Sequence, residues 1–413
     1  MKIFFFVACL VATTAQAQTV PSPRGGFKLI VYLVDCSNCP EGYPVSVPQQ
    51  MGQDADQFFR WGSNNLMWFT GANPATPPDA VKVRIAQASG SCNLTLMASQ
   101  AKTAGQAQGY DPANYQRYLY LMTGLANCGF GSGSSDVNTQ AWVWYDPLAN
   151  RVSRNELGHT FKLQHAKSLD CPSCTPEEYG NTFDVMGSTN GEIGPADRDK
   201  LGWMNVSGGS QMTVVNAAGE YTIQPFDVNQ GILALKIQRG ANSYYVSYRT
   251  GQGYSSGKPI GVIVEMESVF DQSVNSATRL FKWGKDLYAT SPAMVQTGDY
   301  INFPADNLYL RLTDLQPNSA KIKVDFVVDP NPVAGWTFCG GDSARCQLPV
   351  AGVTYKAAYG SVQNYVFANV SDVFYCVQDY FPARQPTVHP VQCYYTPLSG
   401  GTVPNPPQSL TLQ

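Results

Sequence analysis

The stretch Asn155-Glu156-Leu157-Gly158-His159-Thr160-Phe161-Lys162-Leu163-Gln164-His165 holds two of the chain's three histidines, six residues apart and preceded by an acidic residue. Leu157 and Phe161, four apart, predict a helix over 155–164 with one apolar face. On that helix Asn155 and His159 share a face, so two ligands there can grip one cation. Glu156 lies about 100° round the helix, where its carboxylate reaches a water held by such a cation and serves as general base. His165 is too far along a straight helix to join them. The helix has to stop near residue 162 and turn back. On these residues alone three readings stand as alternatives: a metal site, a surface helix with incidental histidines, and a pair of buried, hydrogen-bonded histidines.

The surrounding chain has 413 residues, enough for two or three domains. Apolar residues make up 44%, which excludes wholesale disorder. Charged residues are only 14%, and a net charge of −3 without any basic run excludes nucleic acid as a partner. At the N-terminus, Lys2, the apolar run 3–12 and Ala15-Gln16-Ala17 read as a signal peptide over 1–17. The run is about half the roughly twenty residues that span a bilayer, and no later segment is long enough, so the expected product is secreted, extracellular and free of membrane. Cys9 leaves with that peptide, and the ten remaining cysteines predict disulfides rather than a zinc knuckle built from the two C-x-x-C pairs. Sequons at Asn93, Asn205 and Asn369 mark expected surface.

Residues 27–36 (FKLIVYLVDC) read as a buried strand and 54–70 as a helix. Segments 81–86 and 94–99 are strands or short helices, 111–122 is ambiguous, 129–135 is a Gly/Ser loop and 141–145 a strand. After Asn205 come short alternating runs at 212–215, 219–223, 232–238, 243–249, 261–265, 308–312 and 321–328, which suggest an antiparallel sandwich. Residues 329–333 form a linker to a small four-cysteine β region with a disordered tail.

Residues 155–165 resemble the metzincin pattern H-E-x-x-H-x-x-G-x-x-H, and more narrowly the gametolysin-like extracellular metalloproteases. Residues 178–187, ending in Met186-Gly187, resemble the family's Met-turn, and 193–203, ending in Leu201-Gly202-Trp203, its closing segment. The resemblance covers about 27–206 and extends loosely to Tyr244–Arg249. It implies an α+β metzincin-like catalytic domain over 18–206, with a mixed sheet packed on the metal helix. A β-sandwich would follow over 207–330 and a Cys-containing β module over 331–413.

By the same resemblance Glu156 is the catalytic base, His159 and His165 are zinc ligands, and Met186 is an apolar floor beneath the metal. Asn155 stands where the first histidine ligand belongs, a position at which some gametolysin relatives carry glutamine. An amide oxygen is the weaker zinc ligand, so affinity should fall. Lys162 replaces a turn glycine and has to adopt positive φ. The implied function is a secreted zinc metalloendopeptidase, with copper or another divalent metal as a variant, acting on extracellular, cell-wall or matrix proteins. The alternative is a degenerate relative whose β modules bind such polymers. Within this scheme Cys92–Cys128 and Cys171–Cys174 are expected bridges, and Cys339, Cys346, Cys376 and Cys393 have three possible pairings. Asp170, Asp184 and His389 are lesser ligand candidates.

Overall fold

Seven consecutive buried residues, Leu29 to Asp35, end the strand Gly25–Asp35 (β1). Such an unbroken run belongs to a strand covered on both faces, as in parallel sheets. In the computed structural model β1 pairs in parallel with Met67–Thr70 (β2) and then Asp79–Arg84 (β3) along one side. Arg117–Thr123 (β4) lies along the other side, also parallel. At the far edge Gly133–Ser135 (β5) runs antiparallel to Gln140–Trp144 (β6), which pairs in parallel with β4.

The structure describes residues 22–39, 42–125, 133–136, 138–144, 149–170, 175–187, 191–206, 208–240, 242–268, 279–282, 294–303, 306, 308–326, 336–341, 345–350, 353–361, 364–371, 373–376 and 392–397. The expected signal peptide, Cys128, Cys171, Cys174, His389, the linker and the tail lie outside them. Four α-helices occur among the described residues, and the protein is a mixed α+β chain with several sheets. No helix among them is long and apolar enough to cross a membrane.

Alternation along β1 divides the first core in two. Leu29, Val31 and Leu33 face the helices Ser46–Gly62 (α1) and Ala149–Thr160 (α3), meeting Met51, Phe58, Phe59 and Leu157. Ile30, Tyr32 and Val34 face Leu94–Gln106 (α2) through Met97, Ala98 and Ala101. The expected helix over 54–70 is corrected here: α1 starts eight residues earlier and ends at Gly62, and 67–70 is strand β2. The cause is the pair Asn64 and Asn65, at φ 53° and 61°, which takes the chain out of the helix through a left-handed turn. Residues 94–99 open α2, whose first turn is capped by Asn93 accepting from the Leu96 N–H at 3.0 Å. The ambiguous 111–122 resolves into a single 3-10 turn at Pro112–Asn114 followed by β4.

A seven-stranded sheet and a four-stranded sheet enclose the second core. Leu235, Val246 and Val264 from the first pack against Ile301, Leu310 and Ile322 from the second. Two strands of the larger sheet precede the rest in sequence. Lys167–Asp170 (β7) pairs in parallel with Arg279–Lys282, and Thr175–Glu177 (β8) completes that edge. Nearer the C-terminus, Thr337–Gly341, Gln392–Pro397, Tyr355–Ser361 and Asn364–Val370 form a small antiparallel sheet. Of the three possible pairings, Cys339–Cys346 and Cys376–Cys393 are formed. Cys36 and Cys39 are bonded to each other and Cys92 is disulfide-bonded, so the first C-x-x-C pair is a bridge and not a zinc knuckle. The sequon residues Asn93, Asn205 and Asn369 are all exposed.

Candidate functional site

Residues 155–160 are helical, but α3 begins at Ala149 and stops at Thr160, four residues short of the expected end. Leu157 and Phe161 bury the apolar side as their spacing demands. The exit from the helix is tight: the N–H groups of Phe161 and Leu163 both donate to Gly158 O, and that of Lys162 donates to His159 O. Lys162 sits at φ 70°, as its place in a glycine-type turn requires. This turn reverses the chain and brings His165 back, so the rings of His159 and His165 lie 4.9 Å apart.

Each imidazole has its Nδ1 committed. His159 Nδ1–H donates to Leu163 O at 2.7 Å, a partner that can only accept. His165 Nδ1 is held by Glu178 Oε1 at 2.7 Å, and Glu178 Oε2 pairs with Lys167 at 2.8 Å. Tyr179 stacks on His165 with ring centres 4.0 Å apart. In both rings Nε2 has no hydrogen-bond partner among the described residues. A carbonyl or carboxylate on the far nitrogen is the arrangement that orients metal-ligating histidines. Burial pushes His159 down to about 4, so its ring is neutral and its Nε2 lone pair available near pH 7.

Asn155 donates Nδ2–H to Val185 O at 2.9 Å, which leaves Oδ1 as its one uncommitted oxygen. Glu156 is 8% exposed and its carboxylate has no hydrogen-bond partner among the described residues. Burial raises it to about 8. The edge strand β5 passes directly over it: a Cβ on Gly133 would collide with Glu156 Oε1. Beneath the helix, Met186 is fully buried, and a Cβ on Gly158 would come within 2.6 Å of its Sδ. The Met186 turn is tied to 191–194 through Asp184, which accepts from Met186 N at 2.7 Å and Gly194 N at 2.6 Å. Each Asp184 oxygen thus accepts a backbone N–H and caps this turn.

The structure therefore brings together Asn155, Glu156, His159 and His165 around one end of α3. Among the described residues no group of three or more His, Cys, Asp or Glu side chains is placed to hold a metal. Sequence reasoning missed Glu178 and Tyr179 as partners of His165, and Gly133 as the wall over Glu156. The acidic-aromatic pair shortly after the second histidine was the available signal for the first two, whereas Gly133 is recognisable only once β5 is placed.

Comparison with protein-family models finds no match, and neither does comparison with curated proteins. Among solved structures, one described as "Structure of a chaperone-substrate complex" matches with 14% identity over 35% of this chain and 25% of that chain. Its TM-score is 0.25, too slight a likeness to carry an argument about fold or function.

Proposed function

We propose that the chain is a secreted metalloendopeptidase of the metzincin type, cleaving extracellular protein with Glu156 as proton carrier. The observation that carries this reading is the pairing of His159 and His165, each oriented through Nδ1, beside a buried and unpaired Glu156. Zinc is the metal of choice for two imidazole nitrogens, with His159 and His165 holding it and Asn155 Oδ1 the available third donor. When bound, it would supply Lewis acidity for the scissile carbonyl and for the attacking water.

The remaining work falls to the chain itself. Glu156 takes the proton from the attacking water and passes it to the departing amine. Burial raises it to about 8, which suits the donating half of that role, and a cation held beside it would lower it toward the accepting half. Among the described residues β6 is the one strand paired with β5, and an extended peptide pairing along the other edge of β5 would pass over Glu156. Tyr179 and Glu178 hold the His165 ring against displacement. Disulfides together with exposed sequon asparagines suit an extracellular setting.

The engagement of Asn155 Nδ2 by Val185 O favours the second reading, in which residue 155 is structural and the chain is a non-catalytic binding protein. One experiment separates the two. Wild type, Asn155→His and Glu156→Ala are assayed on an unfolded protein substrate with and without zinc or copper, alongside metal analysis. The peptidase reading expects Asn155→His to raise metal content and activity together, and Glu156→Ala to abolish activity with metal still bound. Metal bound by Asn155→His without any cleavage would leave the scaffold reading standing.

A further inference from the structure

We propose that Cys36–Cys39 is an exchangeable dithiol–disulfide site, oxidised and reduced by an external vicinal dithiol, and not a structural cross-link. It closes at the C-terminal end of β1, the end of a parallel sheet where open α/β folds place their chemistry. A bridge with a sequence separation of 3 constrains the unfolded chain less than the separations of 7 and 17 at Cys339–Cys346 and Cys376–Cys393. Nor does the turn need it. Cys39 N donates to Cys36 O at 3.3 Å and Ser37 N to Gln87 O at 2.8 Å. Asn38 is tied twice to Ser89, and Arg84 Nη1 donates to the carbonyls of Cys36, Ser37 and Cys39. These bonds survive reduction and keep the two sulfurs together as a dithiol.

The surroundings favour thiolate chemistry. Arg84 brings a guanidinium into the turn, and the Lys82 ammonium pairs with Asp35, the carboxylate that precedes Cys36, at 3.5 Å and offsets its charge. Cys36 is fully buried, whereas Cys39 is partly exposed between the exposed Asn38 and solvent. Gly124, at φ 69°, makes room for the Cys39 sulfur, since any Cβ there would strike it. Access and burial set the order of events. An external thiolate attacks Cys39 Sγ, the S–S bond breaks, and Cys36 leaves as thiolate and takes a proton from water. The partner's second thiolate then attacks its own sulfur in the mixed disulfide and releases the Cys39 thiolate, which is protonated in turn. Two electrons and two protons pass to the bridge, and the partner leaves as a disulfide.

The test equilibrates the folded, full-length protein in graded mixtures of reduced and oxidised dithiothreitol, with isotope-coded alkylation and mass spectrometry at each cysteine. Cys36 and Cys39 should open reversibly at a reduced-to-oxidised ratio at least about tenfold lower than either C-terminal bridge requires, with circular dichroism unchanged. Opening only together with those bridges, or only on unfolding, would overturn the assignment. Arg84→Gln, with unchanged circular dichroism, should slow opening severalfold, and an unchanged rate would refute the cationic activation of the turn.

Discussion

Glu265→Gln should stabilise the protein at alkaline pH and leave it unchanged in acid. Glu265 is fully buried; its Oε1 accepts from Asn181 Nδ2 at 2.7 Å, and Oε2 has no partner. Burial raises it to about 7 against an ordinary 4.5, despite the opposing pull of Arg249. Because the folded-state value is the higher, the stabilisation is complete below about 4.5 and is lost as pH rises through about 7. The gap corresponds to about 3 kcal/mol. Asp184, Asp197 and Glu192 are all raised by burial too, so they add to the loss of wild-type stability as pH rises. A glutamine keeps the acceptor for Asn181 and carries no charge to desolvate. Thermal unfolding of metal-free protein at pH 4, 6 and 8 is the assay. The variant should match wild type at pH 4 and exceed it at pH 8 by about 3–4 °C, given the unfolding entropy of a chain of this size. A difference that does not change with pH, or a less stable variant at pH 8, would refute the reasoning.

Glu192→Ala should cost about 3–5 kcal/mol in urea unfolding, because it strips the counterion from the buried Arg249 and Arg198; a loss under about 1 kcal/mol would contradict this. Gly133→Val should drive Glu156 from its position and cut peptidase activity more than about 100-fold. Metal content should stay at the wild-type level, and a fall in it would place the damage at the histidines instead. Lys162→Gly should leave thermal stability equal or raise it by up to about 1 kcal/mol, since glycine relieves the φ of 70° at the helix exit. A larger loss would mean that the lysine side chain anchors the turn.

The apolar strand β1 and the runs after residue 205 were legible because burial on both faces and strict alternation each leave a pattern in sequence. The turn after α3 was legible for a different reason: two side chains six apart can converge only if the helix stops, as it does at Thr160, and the chain turns back through Lys162. The end of α1 was misread because Leu66, Met67 and Phe69 continue an apolar texture past the asparagine pair that breaks the helix. Local propensity there outvoted turn chemistry. The partners of His165 were hidden since Glu178 lies thirteen residues on and reaches it only through the β7–β8 hairpin. Long-range encounters of this kind are set by topology and leave no periodic trace.

The hairpin that carries Glu178 and Tyr179 toward the histidines is also the border of a sheet whose other members come from far downstream. Its strand β7 borrows its neighbour from residues 279–282. A fragment cut near residue 206 would retain Asn155, Glu156, His159 and His165 yet strand that hairpin without its lateral support. The N-terminal part is therefore better pictured as an instrument mounted on the β region than as a cassette that can be transplanted alone.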